Sequence, residues 1–438
     1  MFASSRIAVM VLVAAALAGC GGASSGDDPP APSGNGNERL DELPRRLTAS
    51  EEAVVAASAG FGLELAARVA AQDPRSNVVL SPLSASMALG MAMNGAGGAT
   101  FEEMRAALGF GGMDESDINA AYRDLIDLLT GLDPHVRLRT ANGVWAHDAV
   151  PFHDAFRDAV ATWFRASVES RDFADPGTVT AINAWVRQQT DGLIDGIVDA
   201  LDPALVMLLV NAVHFDGEWT TQFDPENTRP QPFRREDGST VDVEMMSLAD
   251  VDVRAARGAS YTAVELPYGG EAFSMVIVLP DADLRARDWL AQLDENGWTA
   301  VVNGLAPERF NLLAIPKLSL TFDAYLNAPL QATGMEAAFR PGADFTRLSP
   351  LGSQMCIDFV RQKTRIDVDE RGTRAAAATG VGISVVSFRG FTADRSFVLA
   401  IRERLTGTLL FVGLVGDPTA EDPGPPPFAS DCTGAPLP

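Results

Sequence analysis

The sequence predicts an α+β protein: one large domain with large mixed or antiparallel β-sheets and helices mostly in the N-terminal half. Three observations carry this. Capped, helix-periodic segments crowd residues 48–189, while strand-like segments dominate after Leu205. No Pro/Ser/Gly-rich linker and no internal repeat interrupts residues 48–418. Lastly, Asp369–Val386 reads DERGTRAAAATGVGISVV, small residues in the alternation of a strand. Thr373, Ala375, Ala377, Thr379, Val381 and Ile383 fall on one parity, and Arg374, Ala376, Ala378, Gly380, Gly382 and Ser384 on the other. That stretch reads either as an Ala/Gly-rich linker or short helix, or as a strand not yet in its sheet.

The helices follow in order. Thr48-Ala-Ser-Glu51 is a capping box, with Val54, Ser58, Phe61, Leu65 and Val69 at helical spacing behind it. Asn77–Leu80 is a short apolar strand, stopped by Ser81-Pro82, a cap and first-turn pair that opens a helix over Leu83–Met93. Thr100-Phe-Glu-Glu103 forms a second capping box, and Gly109 terminates its helix. Asp117–Leu129, Pro151–Phe164 and Thr178–Gln189 also read as helices, with Val136–Trp145 a strand among them. Further strands are expected at Leu205–Phe215, Val251–Arg254, Thr262–Tyr268, Phe273–Leu279, Phe310–Leu320, Cys356–Val368, Phe397–Arg402 and Thr408–Val415. Helices over Asp283–Gln292 and Ala324–Thr333 interrupt them.

The N-terminus has the grammar of an export signal. Arg6 precedes the apolar run Ile7–Ala18, too short to span a bilayer, and small residues lead to Cys20. Leu17-Ala-Gly-Cys20 resembles the bacterial lipobox, which implies lipidation at Cys20; an ordinary secretory signal with an incidental Cys is the alternative. Gly21, rather than Asp, implies retention at the outer membrane or cell surface, and without lipidation the chain is secreted or periplasmic. The expected organisation is a lipoprotein signal peptide over 1–19, a flexible Gly/Ser/Pro-rich tether over 20–47, the folded domain over 48–418 and a Pro/Gly-rich tail over 419–438. No later segment reads as a membrane span, so contact with a membrane is expected only through the lipid.

With 58 acidic against 34 basic residues and no basic cluster, nucleic acid is not an expected partner. Cys356 and Cys432 either pair in an oxidising compartment or stay free. The four histidines, His135, His147, His153 and His214, show no metal-ligand spacing, and no nucleophile elbow or P-loop is present. Gly109-Phe-Gly-Gly112 follows a helix rather than a strand, so it is no dinucleotide loop. His214, inside a strand, reads as structural. No cofactor, metal or catalytic residue is called for, and the chain is not expected to be an enzyme.

Five motifs in register resemble the serpin family. They are Asn77-Val-Val-Leu-Ser-Pro-Leu-Ser84 with Gly95–Thr100, Leu209–Trp219, Ile315-Pro-Lys-Leu318, Asp369-Glu-Arg-Gly-Thr373 with Ala375–Ala378, and Phe391–Asp394 with Phe397. The resemblance covers nearly all of residues 50–418. It implies a suicide inhibitor: a serine protease attacks a mobile reactive loop, and the cleaved loop inserts into the large sheet with the acyl-enzyme attached. A non-inhibitory binding protein of the same fold, or an inhibitor of cysteine proteases, is the alternative. The hinge falls on Glu370, Gly372, Thr373, Ala375, Ala376, Ala377 and Ala378. The sheet-opening region falls on Ser81, Ser84, Asn211, Trp219, Lys317 and Gln362, with Glu370 and Lys317 matching a family ion pair. Two departures stand out: Gln362 replaces the family's histidine, and Arg374 stands where Glu is usual. Counting seventeen residues from Glu370 places the reactive bond at Val386–Ser387. Counting back from Phe397 favours Val385, and Arg389 lies late in the loop. A β-branched apolar residue at the bond suits an elastase-like target. A monomer is expected.

Overall fold

The computed structural model describes residues 5–15 (backbone), 39–73, 75, 77–192, 194, 196–371, 389–425 and 432. The expected reactive bond at Val386–Ser387, its alternative Val385, Arg374, the hinge residues Gly372, Thr373 and Ala375–Ala378, and Cys20 lie outside the described residues.

The described helices are α1 (Ala49–Gln72), α2 (Pro82–Gly95), α3 (Gly98–Ala107), α4 (Glu115–Thr130), α5 (Asp154–Phe164), α6 (Pro176–Gln189), α7 (Ala286–Leu290), α8 (Glu295–Gly304) and α9 (Asn327–Ala332). The strands of the first half are β1 (Ser5–Ala15), β2 (Asn77–Leu80), β3 (Val136–His147), β4 (Ser167–Arg171), β5 (Leu205–Gly217), β6 (Arg229–Arg234) and β7 (Thr240–Arg257). Those of the second are β8 (Tyr261–Tyr268), β9 (Phe273–Pro280), β10 (Ala306–Pro316), β11 (Leu318–Tyr325), β12 (Met355–Val368), β13 (Gly390–Thr392), β14 (Phe397–Glu403) and β15 (Leu409–Val415).

They make a six-stranded sheet, β11-β12-β1-β5-β3-β4, and a nine-stranded one, β13-β10-β7-β8-β9-β14-β15-β2 with β6 on β7. Local signals explain the helix starts. Thr48 and Glu51 close the expected capping box on α1, and Ser81 with Pro82 at the first turn opens α2, whose residues are all buried. α1 is, contrary to the sequence reading, long and apolar enough to cross a membrane at mean hydropathy 1.4; 61% of that window is instead buried in the core. α6 covers the outer face of the six-stranded sheet, where Ile182 and Val186 pack with Trp145, Leu208 and Val210.

Three elements depart from expectation. The second capping box does not form: α3 starts at Gly98, so Thr100 lies inside it and accepts from the Asp344 amide (2.9 Å), while Glu103 accepts from the amides of Glu336 and Ala337. The alternation over Phe310–Leu320 is two strands in different sheets, β10 and β11, broken at Lys317. Ala324 and Tyr325 extend β11, and the helix expected there shrinks to α9, because β11 pairs with β12 as far as Tyr325–Arg361.

The N-terminal segment Ser5–Ala15, expected to be part of a signal peptide, is a strand. β1 runs parallel to β12 on one side and to β5 on the other. β5 and β12 are therefore parallel to each other but share no ladder. Their separation is one strand wide.

Cys356, at the start of β12, is bonded to Cys432 in the C-terminal tail across 76 positions. In the chain-entropy view a crosslink of that span stabilises by about 4 kcal/mol. It also straddles residues 372–388. A single cut within that segment should leave both fragments joined on a non-reducing SDS gel and release the small C-terminal fragment only with reductant. Release without reductant would disprove the link.

Candidate functional site

The site is the slot between β5 and β12 and the supports at its middle and upper end. In the middle, both strands are tied to the start of α2. Gln362 on β12 accepts from the Ser81 amide (3.3 Å) and donates to the Ser81 carbonyl (3.2 Å). On the other side the Ser84 hydroxyl donates to Asn211 on β5, and Asn211 donates to Asn142 on β3. Asn142 in turn donates to the Phe164 carbonyl (2.6 Å). Ser81, Ser84, Asn211 and Gln362 are fully buried, so each lost partner would cost about 1–3 kcal/mol. The amide of Gln362 both donates and accepts here without carrying a titratable proton.

The upper end is held by an aromatic and an ion pair. Trp219, just past β5, donates from Nε1 to the carbonyl of Asp369, just past β12 (2.9 Å). Its ring stacks on Tyr268 at 4.3 Å and meets Phe223 edge-on. Glu370 accepts from Lys317 Nζ (2.8 Å) and from the Thr228 hydroxyl (2.7 Å). Burial pushes the Glu370 carboxyl up, yet the Lys317 and Thr228 donors outweigh it and hold it below the usual range. Lys317 sits at the break between β10 and β11, where its own amide donates to the Glu244 carbonyl. The sheet switch missed in the sequence therefore aims the lysine at the end of β12.

The structure thus brings Ser81, Ser84, Asn211 and Gln362 into one cluster and Trp219, Lys317 and Glu370 into another. Asn142, Thr228 and Tyr268 were not found from sequence. They lie far along the chain from their partners, and a lone Asn, Thr or Tyr in a strand or loop carries no local signal. Among the described residues, no group of three His, Cys, Asp or Glu side chains is placed to hold a metal.

His214 lies on β5 near the slot's upper end, beside Ala14 of β1 and Arg139 of β3 in register. Among the described residues neither ring nitrogen has a hydrogen-bond partner, and Asp191 is 4.0 Å away. Burial pushes the imidazole down from 6.5 to about 4, opposed by Asp191 and reinforced by Arg139 and Arg137. Such a histidine stays neutral in the fold, while the unfolded chain binds its proton below its ordinary value. Its contribution is complete above pH 6.5 and is lost as pH falls toward about 4. The loss is on the order of 3 kcal/mol. His214→Phe should flatten the decline of melting temperature between pH ~7 and ~4.5, and parallel declines for variant and parent would exonerate the histidine.

Comparison with known proteins agrees with this geometry. The family model for serpins (serine protease inhibitors) matches residues 56–418. Neuroserpin of Gallus gallus is 31% identical over 371 residues, covering 81% of this chain and 88% of its own. Serpin-Z7 of Hordeum vulgare is 32% identical over 397 residues, covering 85% and 98%. The native structure of the thermophilic serpin tengpin superposes with a TM-score of 0.75 at 29% identity, covering 87% of this chain and 97% of tengpin. Human thyroxine-binding globulin with its thyroxine superposes at 0.76 and 27% identity, covering 85% of this chain and all of its own. The chain belongs to the serpin (serine protease inhibitor) family, which is a family of inhibitors and binding proteins rather than of enzymes.

Proposed function

We propose that this serpin inhibits an elastase-like serine protease as a suicide substrate, cleaved at Val386–Ser387 and trapping the acyl-enzyme by inserting the loop into the six-stranded sheet. One observation carries the reading: β5 and β12 stand one strand apart, parallel and unpaired with each other, directly before the loop leaves at Asp369. A strand between them ladders on both edges, as β1 does in the structure. About a dozen inserted residues at a net ~1 kcal/mol each give on the order of 10 kcal/mol. That rivals the whole stability of a typical domain, ~5–15 kcal/mol, so the uncut fold is held back kinetically.

Size and parity support the hinge. The alanines at 375–378 are small enough to pass between strands already anchored at Glu370 and Trp219, while Arg374 falls on the outward parity. The apolar, β-branched Val386 supports an elastase-like target, with Val385 as the alternative bond. Leu17–Cys20 supports lipidation at Cys20 and outer-membrane or cell-surface placement of a monomer. The likeness to thyroxine-binding globulin supports a second reading, a carrier that does not inhibit.

Incubation with an elastase-like serine protease should give an SDS-stable complex, and Ala375→Arg should convert the protein to a substrate that is cleaved without complex. Equal inhibitory stoichiometry for variant and parent would remove the insertion mechanism. Cleavage within residues 372–388 should raise the melting temperature sharply. An unchanged value would favour the carrier, and a stable complex with a cysteine protease alone would redirect the target.

A further inference from the structure

We propose that the leader strand β1 plugs the slot: while it is retained the reactive loop cannot insert, and cleavage ahead of Cys20 arms the inhibitor. The proposal rests on the inhibitory reading above. Its basis is the register. Ser5–Ala15 pairs along Met355–Ile366, and Arg6–Ala15 pairs along Leu205–Phe215, so both facing edges of the slot are used over nearly their whole length. Those edges are what an inserted loop would need, and one backbone cannot pair where another already does.

Direction and depth matter as much as occupancy. β1 runs parallel to both neighbours, whereas a loop leaving the end of β12 would turn and run antiparallel to them. The two occupants thus meet at the upper end. There Ala14 and Ala15 already stand beside His214 and Phe215 on β5 and Arg365 and Ile366 on β12. Only Asp216–Gly217 and Asp367–Val368 extend beyond the plug. A loop starting down from Arg371 would stall at the mouth.

The plug also fits the rest of the site. Val11 is in register with both Asn211 and Gln362, the residues whose side chains reach Ser84 and Ser81. β1 therefore sits over the tethered centre of the sheet with those tethers intact. Ile7–Ala18 contains no charge, glycine or proline, which suits a central strand in a sheet covered on both faces. Two unpaired facing edges are a liability for pairing with other chains, and the leader covers them until it is removed.

The test compares the full chain bearing Cys20→Ala, made without export so that the leader is retained, with the chain beginning at residue 20. Amide hydrogen exchange along β5 and β12, and thermal melting, read slot occupancy without reference to any protease. The full chain should protect both strands and melt higher. Against an elastase-like protease it should be cleaved without an SDS-stable complex, while the shorter chain forms one. Val11→Pro, which removes a ladder amide from the centre of the leader, should return the full chain to the behaviour of the shorter one. Equal exchange and melting in the two chains would overturn the plug, as would equal complex formation. If the leader protects the strands but neither chain forms a complex, the plug stands as an occupant and the inhibitory reading falls.

Discussion

The structure depends on two parallel strands that share no hydrogen bonds. β5 and β12 each present a full edge of amides and carbonyls to β1, which lies between them. Backbone groups left unpaired in a sheet interior are costly, so this gap is either closed, filled or exposed at a penalty. The surrounding elements hold β12 at three heights. The Cys356–Cys432 bond fixes its start, the Gln362–Ser81 pair its middle, and the Glu370–Lys317 pair with the Trp219–Asp369 bond its end. β5 is fixed through Asn211 to the same turn of α2. The two flanks of β1 thus share a common reference, the buried N-terminus of α2.

The mouth of the slot shows how environment divides like groups. Asp216, Asp369 and Glu370 are all carboxylates at the ends of the flanking strands. Burial pushes Asp369 up, countered by the Arg371 amide and charge but helped by Glu370. Burial pushes Asp216 up as well, with Arg137 opposing and Glu218, Asp191 and Asp369 assisting. Glu370 alone goes down, because only it gains both an ammonium and a hydroxyl donor. The mouth combines one firmly ionised, firmly anchored carboxylate with two that ionise less readily.

What could be read in the sequence was what local chemistry states. Thr48 and Glu51 announced α1, Ser81 and Pro82 announced α2, and alternation marked most strands. Thr100 to Glu103 had the letters of a capping box, but the helix had already begun at Gly98, and those side chains serve a distant loop instead. Ile315 to Leu318 kept its alternation while the chain crossed between sheets, since period alone cannot say which neighbour a strand takes. The apolar N-terminal run was read only as an export signal, because its composition suits a signal and a central strand equally and nothing local points to the strand. The Glu370–Lys317 pair came from family resemblance, as nothing local links residues 53 positions apart. Thr228, which donates to Glu370, and Asn142, which accepts from Asn211, were out of reach for the same reason.

Mechanics and specificity are separable in this chain because they are read by different partners. The slot holds β1 in the direction opposite to the one an inserted loop would take, so what it selects is backbone pairing and side-chain size rather than chain direction. Under the proposed function, a protease would read the few side chains flanking one bond among Val385, Val386 and Ser387. Gln362, Asn211 and Trp219 are held instead through Ser81, Ser84, Asn142 and Asp369. Under that proposal, a bulky or charged residue introduced among Ala375–Ala378 would leave recognition intact but obstruct the ladder, turning a trap into a substrate. The narrowest demand on the loop therefore comes from the sheet, and it falls on the hinge rather than on the bond that is cut.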